Sequence, residues 1–156
     1  MLRVAQAICD LEGIPYREIR PIHGGNVNSL FSIDEQFVVR IGRNTAATQR
    51  FQRETTLYQL LADQLPVPRI IAAGTIDTQP YQIQAFIHGE QLHTIWSQLS
   101  LATQTDLIAQ LAELMRCIHQ HRFEHFGPFQ DPRLKQWDEY VAGWFAWSFE
   151  RAATGP

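Results

Sequence analysis

Apolar residues recur at helical spacing over residues 2–12, at Leu2, Ala5, Ile8 and Cys9, and Gly13-Ile14-Pro15 ends the pattern. The period then shortens. Tyr16 to Ile22 reads as a strand, and His23-Gly24-Gly25-Asn26 as a turn in which paired glycines permit positive φ. Val27 to Ile33 is a second strand, Asp34-Glu35 a short turn, and Gln36 to Ile41 a third strand with alternating faces. The opening segment is therefore a helix followed by an antiparallel meander. Thr48 to Leu65 returns to helical spacing, with Leu57, Leu61 and Leu65 on one face and Tyr58 beside it, until Pro66-Val67-Pro68 stops it. Arg69 to Thr75 and Tyr81 to Ile87 are two more strands, separated by Gly74 and a turn over Asp77–Pro80. That pattern predicts five strands with one long helix between the third and the fourth.

Beyond His88-Gly89 the pattern is helical. Leu107, Leu111, Leu114 and Ile118 form an amphipathic stripe, and a loop around Gly127-Pro128 follows. Gln136 to Arg151 is a last helix, dense in Trp137, Tyr140, Trp144, Phe145, Trp147 and Phe149. The boundary between the mixed and the helical parts falls near 88–94. No internal repeat or low-complexity tract is visible.

Composition narrows the class. Of 156 residues, 45% are hydrophobic and 19% charged, which is globular and not disordered. A net charge of −3 supplies no basic field for nucleic acid. No apolar run approaches the ~20 residues that span a bilayer, so no membrane partner is expected. The N-terminal MLRVAQAICDLEG carries Arg3, Asp10 and Glu12 and is expected not to be a signal peptide. Cys9 and Cys117 form neither a C-x-x-C pair nor a disulfide framework, which points to a reducing, cytoplasmic setting. Lys135 is the sole lysine, so any earlier site that needs a cation must use arginine.

Two charged residues then matter. On the third strand Phe37, Val39 and Ile41 point one way, Val38 and Arg40 the other. On the following helix Glu54 precedes Leu61 by seven residues, which places it on the apolar stripe. A carboxylate there is costly unless paired, and Arg40 is the nearest partner from another element. The alternatives are an exposed pair with Arg50, one turn earlier, or a solvated Glu54 with no role.

In this order the segments HGGNVNSLFSI, FVVRIGR, FQRETTLYQLLADQLPVPRIIAAG, YQIQAFIHGEQL and LAELMRCIH resemble the aminoglycoside phosphotransferase and choline-kinase-like group of the protein-kinase-like fold. They lie within residues 22–119, about two-thirds of the chain. The resemblance implies an α+β fold: a five-stranded antiparallel sheet with a helix of the αC type, then the first helices of an incomplete helical C-lobe. It implies a nucleotide-binding N-lobe over 1–88, and a hinge and partial C-lobe over 89–156 that stops before the catalytic loop. The implied cofactor is ATP, with Mg²⁺ expected only with the missing C-lobe.

The implied site runs residue by residue. Gly24, Gly25 and Asn26 look like the loop that covers the phosphates, where small residues let backbone N–H groups approach oxygens. Arg40 matches the third-strand lysine that holds the α- and β-phosphates, and Glu54 matches its partner on the helix. Arginine departs from the protein-kinase pattern, and its planar fork is not equivalent to an ammonium. Val38 matches the apolar residue that packs on adenine. Gln84 falls at the gatekeeper position, and the Ala85 carbonyl and Ile87 N–H would read the adenine edge. Without the resemblance, the loop is an ordinary hairpin turn and the last three residues a plain buried strand running into a loop.

Phosphoryl transfer also needs a carboxylate beside the acceptor hydroxyl and ligands for Mg²⁺. This family supplies them from H-G-D-x-x-x-x-N and a later Asp. Here His23-Gly24 and His88-Gly89 are followed by Gly25 and Glu90, and no asparagine follows Asn44, so no catalytic residue is assigned. Cys117, His119, His121 and His125 lack a completing ligand other than Glu124, and no metal site is assigned. The expectation is the N-terminal part of an ATP-dependent kinase for an unknown small hydroxyl-bearing substrate, inactive alone. The alternatives are a non-catalytic nucleotide- or protein-binding module, and a protein that self-associates or takes a complementing C-terminal fragment through residues 137–149.

Overall fold

The structure, a computed structural model, describes residues 1–23, 27–123, 126 and 136–154. Helix α1 (Leu2–Leu11) buries Ala5, Ile8 and Cys9, spaced for one helical face. It ends in a Schellman motif. Gly13 sits at φ +65°, its N–H reaches the Asp10 carbonyl, and the Ile14 N–H reaches the Cys9 carbonyl at 2.9 Å. A side chain at Gly13 would strain that left-handed backbone.

Five strands follow: β1 (Ile19–Ile22), β2 (Asn28–Ile33), β3 (Phe37–Gly42), β4 (Ile70–Ile76) and β5 (Gln79–Ala85). They form one antiparallel sheet in the order β1-β2-β3-β5-β4. Helix α2 (Ala46–Leu61) connects β3 to β4. The sheet's two faces differ in chemistry. One carries Phe31, Ile33, Val39, Ile41, Tyr81 and Ile83 and packs on α1 as the core. The other carries Arg40 and Gln82, and α2 lies against its strands.

Gly42 permits that approach. A Cβ on it would lie 2.3 Å from the Ala47 Cβ and 2.8 Å from Pro80, so the first turn of α2 rests directly on the end of β3. This shifts the helix from its sequence-based bounds. The buried stripe is Ala47, Phe51 and Leu61; Leu57 is half-buried, and Leu65 lies beyond the helix in a turn whose N–H reaches the Leu61 carbonyl.

After β5 come a one-turn helix α3 (Leu92–Ile95), a 3₁₀ turn (Trp96–Gln98), α4 (Leu101–Gln120) and α5 (Trp137–Thr154). The chain divides into two compact units, Met1–Leu111 and Ala112–Pro156. Among the described residues no helix is long and apolar enough to cross a membrane. The loop expected around Gly127-Pro128 lies outside the described residues.

Candidate nucleotide site

Register decides what shares the polar face of the sheet. Arg20 pairs with Ser32, Ser32 with Val38, and Val38 with Gln84, so these four form one row across it. Ile22, Leu30, Arg40 and Gln82 form the next row, and Asn28 and Gly42 the one after. Cross-strand partners point to the same side of a sheet.

Arg40 and Glu54 are brought together. The Arg40 Nη1 lies 2.8 Å from the Glu54 Oε2, and the two side chains are only 15% and 22% exposed. Burial separates this pair from Arg116–Glu113 on α4, at 57% and 60%, a surface pair whose attraction water and salt screen. The contact is one of charge: no aligned hydrogen bond reaches the buried Glu54 Oε2. The same Nη1 instead donates to the Gln82 Oε1 at 2.8 Å. Gln82 is fully buried, and its Nε2 donates to the Thr55 Oγ1 at 3.0 Å. Thr55 in turn donates to the Phe51 carbonyl. The Phe51 ring lies 5.1 Å from the Arg40 Cζ, within cation–π range. Tyr58 donates to the other Glu54 oxygen at 3.1 Å. Burial first, and then the Glu54 carboxylate, pushes the Tyr58 phenol above its usual range.

Arg40 is thus held from three directions, with Glu54 offsetting its charge and Gln82 and Phe51 fixing its plane. Sequence reading missed Gln82, Thr55 and Phe51. A signal existed: Gln82 and Gln84 alternate with Tyr81 and Ile83, and polar residues at period 2 in an apolar strand mark a face that meets something polar. Arg50 does not pair with Glu54. It donates to the Asn28 Oδ1 at 2.8 Å.

Val38 is half-buried between Ser32 and Gln84, and the Ser32 Oγ and Gln84 Oε1 are buried without a hydrogen-bond partner. Such orphaned atoms are uncommon in folded proteins. The segment after Gln84 is fixed to the sheet. The Ala85 N–H donates to the Arg69 carbonyl and the Phe86 N–H to the Gln36 carbonyl, both at 2.8 Å, while Ile87 is exposed. Gly24, Gly25 and Asn26 lie outside the described residues, as do Glu124 and His125 of the histidine cluster. Among the described residues no group of three His, Cys, Asp or Glu side chains is placed to hold a metal. A cleft of about 760 Å³ lies by the β2–β3 turn and is lined by residues such as Tyr16, Arg17 and Asp34. Arg40 and Glu54 do not line it, and a cleft of that size without the network's groups is no guide to the chemistry.

A family model for the phosphotransferase enzyme family matches residues 18–153. The chain belongs to that family. A subtelomeric hrmA-associated cluster protein of Aspergillus fumigatus is 28% identical over 81 residues, which is 49% of this chain and 16% of the fungal protein. Among solved structures, the aminoglycoside phosphotransferase APH(2'')-Ib bound to ADP matches with a TM-score of 0.63 at 21% identity, over 78% of this chain and 40% of that one. The gentamicin complex of APH(2'')-IIa matches with a TM-score of 0.66 at 19% identity, over 90% of this chain and 46% of that one. The streptomycin–ATP ternary complex of APH(2'')-IIa matches with a TM-score of 0.62 at 21% identity, over 78% and 40%. At these identities the likeness establishes the fold: a five-stranded antiparallel sheet with helices, as in the kinase-like phosphotransferases. The chain spans less than half the length of the relatives it matches.

Proposed function

We propose that this chain is the ATP-binding portion of a phosphotransferase that phosphorylates a hydroxyl group of a small molecule. The observation that carries the reading is the Arg40–Glu54 pair, mostly buried, on the sheet face that also bears Val38 and Gln84. A guanidinium held in place by Glu54, Gln82 and Phe51 keeps donors for phosphate oxygens. Val38 would meet the base. Gln84, with the Ala85 carbonyl and the Ile87 N–H, would read its edge, and Gly24, Gly25 and Asn26 would cover the phosphates. Nucleotide-bound relatives, with ADP in one and ATP in another, support the assignment.

In this reading residues 1–88 are the nucleotide lobe and 89–156 the hinge with part of the helical lobe, in a cytoplasmic protein with both cysteines free. Mg²⁺ would be held by the H-G-D-x-x-x-x-N loop and the later Asp, which these 156 residues do not contain. The chain alone therefore binds nucleotide without transferring phosphate. Calorimetric titration with ATP, with and without Mg²⁺, tests this. Wild type should bind, and Arg40→Gln and Glu54→Gln should each weaken binding by about 10-fold or more. No heat of binding at millimolar ATP would sink the reading.

One observation favours a second role. Trp144, Phe145, Trp147 and Phe149 of α5 are all more than half exposed. They suit a protein contact, either self-association or a complementing C-terminal fragment, in a non-catalytic module.

A further inference from the structure

A second cation on α2, outside the Arg40 hydrogen bonds, is Arg50. It stands on α2 one residue before Phe51, half-buried, and its Nη2 donates to the Asn28 Oδ1 at 2.8 Å. Its Cζ lies 5.7 Å from the centre of the Phe51 ring, the ring that also meets Arg40. These described partners are a neutral amide and a ring face. Among the described residues no carboxylate lies within ion-pair distance of Arg50, and Glu54, one turn later, is turned to Arg40. A half-buried charge with only neutral partners is left short of compensation.

Its position is set by the fold. Asn28 pairs with Gly42 and Leu30 with Arg40, so Asn28 stands on the polar face one row from Arg40, roughly 7 Å along the strands. The bare Gly42 lets Ala47 close on the sheet, and Arg50, one turn on from Ala47, is thereby carried to Asn28. Two guanidiniums thus meet one aromatic ring, and Glu54 pairs with Arg40 alone.

We infer that Arg50, anchored by Asn28, is a second polyphosphate-binding cation beside Arg40, selecting nucleotides by their phosphate chain. This rests on the ATP-binding reading above. The competing account is structural: Arg50 only ties α2 to β2. The two differ in which ligands feel its loss.

The test uses the full chain as wild type, Arg50→Gln, Arg50→Lys and Asn28→Ala, titrated with ATP, adenosine and inorganic tripolyphosphate, with a thermal melt of each. Arg50→Gln should weaken ATP and tripolyphosphate roughly 10- to 100-fold and leave adenosine within about 2-fold, while Arg50→Lys, which keeps the charge and loses the planar fork, should fall between wild type and Arg50→Gln. If Arg50→Gln fails to fold, Asn28→Ala decides, since it keeps the cation and removes its anchor: a loss for ATP without one for adenosine supports the inference, and no loss overturns it. Equal loss for ATP and adenosine, or none for either, overturns it while the ATP-binding reading stands. Wild type that binds neither ATP nor tripolyphosphate overturns both.

Discussion

Tyr81 shows how one side chain couples the core to pH. Only 3% exposed, it packs in the α1 core and donates its hydroxyl to the Glu12 carboxylate. Burial first, and the Glu12 hydrogen bond second, push the phenol from 10.0 up to about 12. A phenol is neutral when protonated, so its stabilising contribution is complete below pH 10 and disappears as pH rises through the folded value. Between the two values the unfolded chain has released a proton that the folded chain keeps. Cys9 adds to this: burial, then Asp10, lifts its thiol from 9.0 to about 11. Urea unfolding at a series of pH values should show wild type losing stability steeply above pH 9, with Tyr81→Phe losing less between 10 and 12. An unchanged slope in that variant would refute the assignment. At this scale the sequence was informative where chemistry forced a choice. Glu54 on an apolar stripe announced its need for a cation, and Arg40 faced the right way. The alternation at Gln82 marked a polar face, but its partner, and the Phe51 and Asn28 contacts, were not legible, because each joins residues from separate elements through a register that composition does not encode.

Two hairpins place strained residues where the sheet needs tight turns. Asp34 and Glu35 have φ of +49° and +54°, and Asp77 and Thr78 have +45° and +70°. Two consecutive residues at positive φ make a type I′ turn, whose twist matches the strands and whose usual residues are Asn and Gly. Asp34 is compensated, since its carboxylate accepts the Arg17 and Glu18 N–H groups at 2.9 and 2.7 Å. Thr78 is β-branched and least suited to such a backbone. Thr78→Gly should therefore raise stability by about 1 kcal/mol, the relieved strain outweighing the entropy of a glycine. A urea midpoint that falls in this variant would show that the turn is not strained. The turns themselves were legible as breaks between apolar runs, and all five strands lie within a few residues of their predicted bounds. Helix α2 was legible as an element but not in its face. The expected stripe Leu57, Leu61 and Leu65 gave way to Ala47, Phe51 and Leu61, because the contact that sets the rotation is Gly42 against Ala47. The one-turn helix α3 is too short for any period to register.

For the whole molecule, the unresolved balance is between the sheet's closed core and the open faces of the last helices. Helix α4 has an amphipathic stripe yet buries none of its residues, and Leu111 and Ile118 on that stripe are 55% and 46% exposed. In α5, Trp137, Trp144, Trp147 and Phe149 are 59%, 54%, 53% and 72% exposed, although Phe145 stacks on Phe149 and Trp137 meets Phe126. Soluble monomers rarely leave contiguous apolar patches beyond a few hundred Å², and aromatic side chains carry much of the energy of contacts they enter. The sequence-level stripes were read correctly as apolar, but what covers them is not written in a single chain's periodicity. The 18.0 kDa chain should therefore associate in solution. Light scattering should give a mass that rises with concentration, and the double variant Trp144→Gln with Phe149→Gln should return it towards the monomer. The variant keeps Arg40, Glu54 and Gln82, so on the nucleotide-binding proposal it should bind ATP as wild type does. A strictly monomeric wild type across micromolar to millimolar concentration would mean that the exposed aromatics of α5 do not drive assembly.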